Sequence, residues 1–431
     1  MKTFIFNARL IDEKIDTHGS VILNNGKIER IFICDGKNPE LIKAVNSDVS
    51  SCDIQINAEG KALLPSFIDM HSHFRYPGQT DKEDLETGLR AAAAGGYTTV
   101  VLMPNTNPVV SSQEEASLVV EKAESYGTAK VYQTVSITNR FDGQTIDQLN
   151  YLNKDIVPIV TEDGKDVASD EVMEKAMEIC ASKGIIVSCH CEKNEYVPRA
   201  KKYRDEGKFL EAEKILAGAE DESTKRNLGS ALNSNCDIHI AHCSTKKALE
   251  YIRRAQKKEG RNGQVSYEIT PHHACLSYEM PGLSSELVNP PLRSEKNRKA
   301  LIKNLARGRH VMIGTDHAPH TMEDKKNGAC GFSGIETAFS LCYTSLVLKK
   351  YFDLKRLSSL MSAEPARRLR LNKGLIATGM DADLVLIDLD ASFEVNPESF
   401  FSKGRYTPIA GKTLFGRIYK TFYKGQIVYE L

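Results

Sequence analysis

Apolar and polar positions change rhythm twice along the chain. Residues 1–62 carry short runs in which the two alternate: Thr3 to Ala8, Ser20 to Leu23 and Lys27 to Ile33, the last two separated by Asn24-Asn25-Gly26. Alternation with period two reads as half-buried strands, and Asn-Gly between two such runs predicts a hairpin. The C-terminal residues repeat the pattern in Ala382 to Ile387, Gly416 to Phe422 and Gln426 to Tyr429, with Lys424-Gly425 as a turn. Strand-rich segments at both ends predict one small β-sandwich domain built jointly from residues 1–63 and 372–431.

Between them the rhythm becomes continuous apolar runs alternating with amphipathic stretches. Strand candidates end near His73, Pro104, Ile137, Thr161, His190, His242, Thr270 and Asp316. Helical patterns intervene at Lys82–Ala94, Gln113–Tyr126, Ser169–Lys183, Thr245–Lys258 and Glu295–Arg307, with Gly95-Gly96, Gly127, Gly184 and Gly308 as C-terminal caps. Strands buried on both faces read as unbroken apolar runs, which is how parallel sheets look in sequence. Eight units between residues 71 and 316 match the roughly 250 residues of a TIM-type (β/α)8 barrel. A doubly wound open sheet is the alternative, but no Gly-x-Gly-x-x-Gly follows the first strand. The expected barrel domain covers residues 64–371. Its longest connection, 191 to 236, carries the charged stretch Lys201-Lys202-Tyr203-Arg204-Asp205-Glu206, which predicts a solvated helical face.

Composition narrows the class. Lysine plus arginine and aspartate plus glutamate both number 57, so the formal net charge is zero. That leaves no basic surplus for nucleic acid. Residues Met1 to Arg9 lack the apolar core of a signal peptide, and no apolar run approaches the roughly 18 residues of a membrane span. Ten cysteines are scattered without Cys-x-x-Cys pairs, as free thiols of a reducing compartment are. The expectation is a soluble cytoplasmic protein with one large core and a small accessory domain.

The chemistry collects at the strand ends, where a barrel keeps its active site. Strand 1 closes with His71-Ser72-His73-Phe74-Arg75, and period two puts Asp69, His71, His73 and Arg75 on one face. Other ends carry Met103-Pro104-Asn105-Thr106, Glu162-Asp163-Gly164, Cys189-His190-Cys191-Glu192, His242-Cys243-Ser244-Thr245, Thr270-Pro271-His272-His273 and Asp316-His317-Ala318-Pro319-His320. A single strand-end histidine often only satisfies backbone groups. Four histidines (His71, His73, His190, His242) and two aspartates (Asp163, Asp316) on five ends point instead to metal. They exceed one tetrahedral zinc and suit two ions sharing a carboxylate. The predicted reaction is hydrolysis, or its reversal, at an amide-like carbon, with Asp316 shuttling a proton between water and leaving nitrogen. Cys189 and Cys191 have opposite parity to His190 and are expected to face the helices.

These residues resemble the amidohydrolase superfamily, and within it the class I bacterial dihydroorotase family. The resemblance spans nearly the whole chain. It rests on His-x-His-x-Arg at 71–75, Met-Pro-Asn-Thr at 103–106, Asp163-Gly164, His190-Cys191-Glu192, His242-x-Ser-Thr and Thr-Pro-His-His at 270–273. Asn289-Pro290-Pro291-Leu292-Arg293 and Asp-His-Ala-Pro-His at 316–320 are its most specific strings. It implies a zinc enzyme, two ions per subunit, interconverting N-carbamoyl-L-aspartate and L-dihydroorotate in pyrimidine synthesis. It further implies His71, His73 and Asp316 at one ion, His190 and His242 at the other, and Asp163 between them. Arg75, Asn105 and His320 would grip the substrate carboxylate, and Asn289 would contact the ring. An arginine fork is the natural bidentate partner for a carboxylate. For partners it implies the small-molecule substrate, a homodimer and, compatibly with catalysis, aspartate transcarbamoylase; neither nucleic acid nor a membrane is expected.

Two flanking positions depart from the family pattern. Tyr76 follows Arg75 where an acidic residue is common, and Glu162 precedes Asp163, which leaves open which carboxylate bridges. The segment 200–230 also departs. Residues 321–334 read equally as a lid or a plain surface loop. The rival readings are a dihydropyrimidinase, hydantoinase or allantoinase, which would use a lysine bridge and lack the Arg75 clamp, and a non-catalytic scaffold for aspartate transcarbamoylase, which would have lost ligands.

Overall fold

The computed structural model describes residues 2–33, 52–258 and 264–431. Strands are numbered along the chain. The first five are β1 (Lys2–Ile11), β2 (Asp16–Asn24), β3 (Lys27–Ile33), β4 (Ile54–Asn57) and β5 (Ala62–Pro65). The predicted hairpin joins β2 to β3. Asn25 and Gly26 sit at φ 48° and 75°, the left-handed pair a two-residue turn between twisted strands requires.

The central strands are β6 (Phe67–Ser72), β7 (Tyr97–Leu102), β8 (Lys130–Gln133), β9 (Val135–Ser136), β10 (Ile159–Thr161), β11 (Ile186–Cys189), β12 (Ile238–Ile240), β13 (Val265–Ile269) and β14 (Val311–Ile313). All pair in parallel. β8 and β9 form one barrel position interrupted at Thr134, β8 pairing with β7 and β9 with β10. A parallel bridge between Ser72 and His317 closes the ring, flanked by His73 N–H to His317 O at 2.8 Å and Asp316 N–H to His71 O at 3.0 Å. The result is the expected (β/α)8 barrel.

Helix starts follow their caps. Asp84, Ser169 and Thr245 accept from the backbone as N-caps, so those helices begin just after them, at Leu85, Asp170 and Lys246. Glu295–Arg307 matches its predicted bounds. Gly184 ends its helix at φ 68°, as a left-handed cap does. Gly308 differs: its φ is −71°, and what requires glycine is space, since a Cβ there would lie 2.5 Å from Asn304 O and 2.6 Å from the Tyr267 hydroxyl.

The connection after β11 forms two helices, Val197–Asp205 and Phe209–Ser234. Its charged stretch 201–206 is largely exposed, as expected. The second helix is not a solvated face, because it buries Glu213, Glu220, Asp221, Ser223 and Asn227. The remaining strands, β15 (Leu384–Glu394), β16 (Thr413–Tyr423) and β17 (Gln426–Glu430), complete a sheet in the order β17-β16-β15-β5-β1-β2-β3, with β4 beside β1. β15 runs antiparallel to β5, which leads through Ser66 into β6. Both terminal segments therefore meet on β5, which runs on into the barrel's first strand. At that junction Asp383 pairs with Lys373 and accepts from Thr98 at 3.2 Å, while Lys373 donates to Thr99 at 2.7 Å. Among the described residues no helix is long and apolar enough to cross a membrane.

Candidate metal centre

Asp163 stands just past β10 with four histidines around it. Its Oδ1 lies 3.2 Å from His71 Nε2, 3.5 Å from His190 Nδ1 and 3.6 Å from His242 Nε2; its Oδ2 lies 3.5 Å from His73 Nε2. Asp316 Oδ1 flanks the first pair, 3.2 Å from His73 Nε2 and 3.7 Å from His71 Nε2. All six side chains are buried. The sequence drew them from five different barrel positions, and the barrel brings them together at one mouth.

The donors divide into two sets, His71, His73 and Asp163, and Asp163, His190 and His242, each with its ligand atoms within 4.8 Å of one another. Three buried atoms of these side chains, His71 Nε2, Asp163 Oδ1 and His190 Nε2, have no hydrogen-bond partner. Leaving such atoms unpaired costs about 1–3 kcal/mol each. Imidazole nitrogens and a carboxylate oxygen are the donor chemistry of zinc and similar divalent ions, so the residues fit a metal.

Charge is arranged accordingly. Burial alone would raise the Asp163 carboxyl, but the imidazoles of His71, His190 and His242 outweigh it and hold it well below the usual range. Burial likewise opposes ionisation of Asp316, and the contact with His73 reverses it. Glu162 turns away. It accepts the Thr138 amide at 2.9 Å and the Thr138 hydroxyl, and burial raises its carboxyl to about 7. Of these two adjacent carboxylates, Asp163 alone faces the histidines.

One placement differs from the strand-parity expectation. Asp69 does not share the His71–His73 face. Its carboxylate accepts the Thr315 amide at 2.8 Å and the hydroxyls of Ser72 and Thr315, tying β6 to the residues after β14. The cause is a register shift between Asp69 and Ser72 in the β6–β7 ladder, which breaks simple alternation. Cys189 and Cys191 pack into the apolar core, as their parity implied.

Arg75 is buried beside the centre. Its Nε donates to Pro319 O at 3.2 Å, and its Nη2 lies 3.2 Å from His320 Nε2. Burial lowers the guanidinium to about 10, and it lowers His320, helped by Arg75, to about 3. Asn105 holds His73 Nδ1 at 2.9 Å and Asp163 Oδ2 at 3.2 Å through its two amide atoms. Asn289 donates to Glu192 at 3.3 Å, and Glu192 lies 3.6 Å from His190 Nε2. His273 bonds Thr270 and Pro290, outside the metal donors.

The amidohydrolase family profile matches residues 62–428. The chain belongs to the amidohydrolase family. Curated relatives of this amidohydrolase include the dihydroorotase of Clostridium botulinum (strain Eklund 17B / Type B), 39% identical over 431 residues, covering 100% of both chains. The dihydroorotase of Bacillus subtilis (strain 168) is 36% identical over 401 residues, covering 91% of this chain and 92% of the relative. Among solved structures, the L-hydantoinase of Arthrobacter aurescens superposes with a TM-score of 0.86 at 23% identity, covering 99% and 96% of the two chains. The dihydropyrimidinase of Brevibacillus agri NCHU1002 gives 0.84 at 23%, covering 100% and 95%. At that identity the structures establish the fold alone.

Sequence reasoning missed Glu268, whose Oε1 lies 2.7 Å from His71 Nδ1. The signal was present: a carboxylate inside the apolar run Val265–Ile269 is a buried charge in need of a partner. It also missed the polar props from the long insert helix. Arg226 donates to Asp166 at 2.6 Å and to Val167 O at 2.8 Å, bracing the loop that follows Asp163. Glu220 accepts the amides of Ser244 and Thr245 at 2.7 and 3.0 Å, bracing the loop that follows His242.

Proposed function

We propose that this amidohydrolase is a dihydroorotase, a cyclic-amide hydrolase that interconverts L-dihydroorotate and N-carbamoyl-L-aspartate. The observation that carries the reading is the pairing of the Asp163-centred histidine cluster with a buried arginine, in a chain whose curated relatives are dihydroorotases along their full length. Two zinc ions held by His71, His73, Asp163 and Asp316, and by Asp163, His190 and His242, would make a water nucleophilic near neutral pH and polarise the ring carbonyl. The chain's own groups do the rest. Arg75 and His320 present donors to the free carboxylate of the substrate, with Asn105 beside them, and Asn289 would contact the ring. Asp316, kept ionised by His73, takes the proton of the attacking water and returns it to the nitrogen that leaves when the C–N bond breaks. In cyclisation the same carboxylate receives the proton as that C–N bond forms. Arg75, Asp316 and the histidines around Asp163 are buried, which limits bulk water at the reacting atoms.

Two further readings belong to the same proposal: the chain works as a homodimer, and it associates with aspartate transcarbamoylase. The test is turnover of L-dihydroorotate by the purified protein, with metal content of the same sample and Asp163→Ala and Arg75→Ala in parallel. We expect turnover with about two zinc ions per chain, lost in Asp163→Ala. A zinc-loaded protein that turns over hydantoin or dihydrouracil faster than dihydroorotate would sink the substrate assignment. A folded protein with neither metal nor turnover would favour a scaffold.

A further inference from the structure

A line of buried polar groups runs through the barrel interior beneath the metal centre. Glu268 Oε1 accepts from His71 Nδ1 at 2.7 Å and from the His242 amide at 3.0 Å. Its Oε2 faces His239 Nε2 at 3.1 Å, and His239 Nδ1 lies 2.9 Å from the Ser266 hydroxyl. None of Ser266, His239, Glu268 and His71 is more than 1% exposed. Ser266 lines a cavity of about 650 Å³ at the opposite mouth of the barrel, together with Tyr132, Ile186, Met312 and Arg368.

The partners fix the protons. A carboxylate oxygen only accepts, so His71 presents Nδ1–H to Glu268 and aims Nε2 at the Asp163 cluster, where a bound ion would take its lone pair. His239 presents Nε2–H to the other oxygen, which leaves its Nδ1 to accept from Ser266 O–H. The terminal torsion of a glutamate is broad, so a carboxylate pinned at one oxygen can rotate, whereas one pinned at both cannot. Space is fitted to the same end. A Cβ at Gly314 would lie 2.4 Å from Glu268 Oε2 and 2.6 Å from its Cδ.

We propose that His239 and Ser266 are positioning residues for the metal centre: the relay Ser266–His239–Glu268 locks the tautomer and orientation of His71 from the far side of the barrel. This rests on the metal-centre reading above. Partners that fix a ligating imidazole are worth roughly 10–100-fold in metal affinity. Here that contribution reaches two residues further than the carboxylate itself.

The experiment is the Zn²⁺ dissociation constant of the full chain, by competition with a chromophoric chelator. His239→Leu should weaken binding by roughly 10–100-fold with an unchanged circular-dichroism spectrum. His239→Gln keeps an N–H near the position of Nε2 and should return affinity to within a few-fold of the starting protein. Gly314→Ala, which pushes on Glu268 with His239 intact, should weaken binding in the same way. At saturating zinc, His239→Leu should lower kcat while leaving KM for dihydroorotate unchanged. Unaltered zinc affinity in His239→Leu overturns the relay alone, as does a loss that His239→Gln shares in full. Failure of the unsubstituted protein to bind zinc overturns the metal-centre reading itself.

Discussion

Arg75 holds its guanidinium on a backbone at φ 55°, a conformation non-glycine residues seldom adopt, and Asp316 and His242 share the left-handed region at 50° and 30°. Three such residues around one cluster are strain kept where geometry matters to function. Among the described residues Arg75 makes no ion pair, and its hydrogen bonds go to a carbonyl and an imidazole, which leaves the rest of its fork available for the proposed clamp. Arg75→Ala should therefore raise KM for dihydroorotate by about 10²–10³-fold, the value of a bidentate charge-assisted contact. Arg75→Lys should recover little of it, because an ammonium cannot reproduce the fork. Steady-state kinetics at matched metal content decide this, and an unchanged KM in Arg75→Ala would remove the clamp. A second residue speaks through pH. Burial raises Glu336 to about 7, against the Phe401 and Ser402 amides that it accepts. For a carboxyl raised on folding, the unfolded chain releases its proton first, so stability is full below about 4.5 and falls as pH rises toward 7. Glu336→Gln should flatten that fall in denaturant titrations while giving up one of the two amide bonds, since a carboxamide nitrogen cannot accept. A variant with the same pH slope as the starting protein would contradict it.

At the scale of elements, the helix Phe209–Ser234 is the part the sequence disguised. Its polar residues are buried against partners that period and charge do not reveal, since these report what a side chain is, and not which partner lies opposite. Opposite lies Arg293, fully buried, donating to Ser244 at 2.9 Å, to Glu220 at 2.9 Å and to the Glu213 carbonyl at 3.1 Å. One helix thus braces the loops after β10 and β12 and the segment that carries Asn289. Arg293→Met should destabilise the fold by about 3–5 kcal/mol, since it leaves the Glu220 charge buried and unpaired, and Arg293→Met with Glu220→Gln, which removes the charge but keeps an oxygen for the Ser244 and Thr245 amides, should recover part of the loss. Burial would raise Glu220, but Arg293 lowers it below the usual range. Its contribution is thus present above the unfolded value and is lost as pH falls, so the single variant should lose the acid-side slope of the parent. The strands were more legible. Parallel strands covered on both faces announce themselves as apolar runs, and Asp, Ser and Thr before Leu85, Asp170 and Lys246 mark the helix starts. Side-chain direction at β6 was not legible, because a register shift between Asp69 and Ser72 leaves no trace in residue types.

At the scale of the whole molecule, the two regions are joined but loaded differently. The sheet from both termini is knitted by backbone ladders and its own apolar cluster of Ile5, Leu10, Val21, Leu63, Leu384 and Phe422. The C-terminal mouth of the barrel is held instead by short strands, three residues each in β10, β12 and β14, whose ends converge on Asp163 and its histidines. Metal bound there would link five barrel positions around the orphaned atoms His71 Nε2 and Asp163 Oδ1. It binds the folded state alone, and at a hundredfold excess over its dissociation constant such a ligand adds about 2.7 kcal/mol. Opening is local where contacts are few, so that stabilisation should not spread evenly. Chelation should speed hydrogen exchange in residues 163–167, 190–192, 242–245 and 315–317, and leave β1, β2 and β15 at their original rates. Exchange mass spectrometry with and without chelator reads this directly. Equal acceleration in the sheet would mean that the two regions unfold as one unit, and no acceleration at the mouth would mean that the ligand cluster is already rigid without its ions.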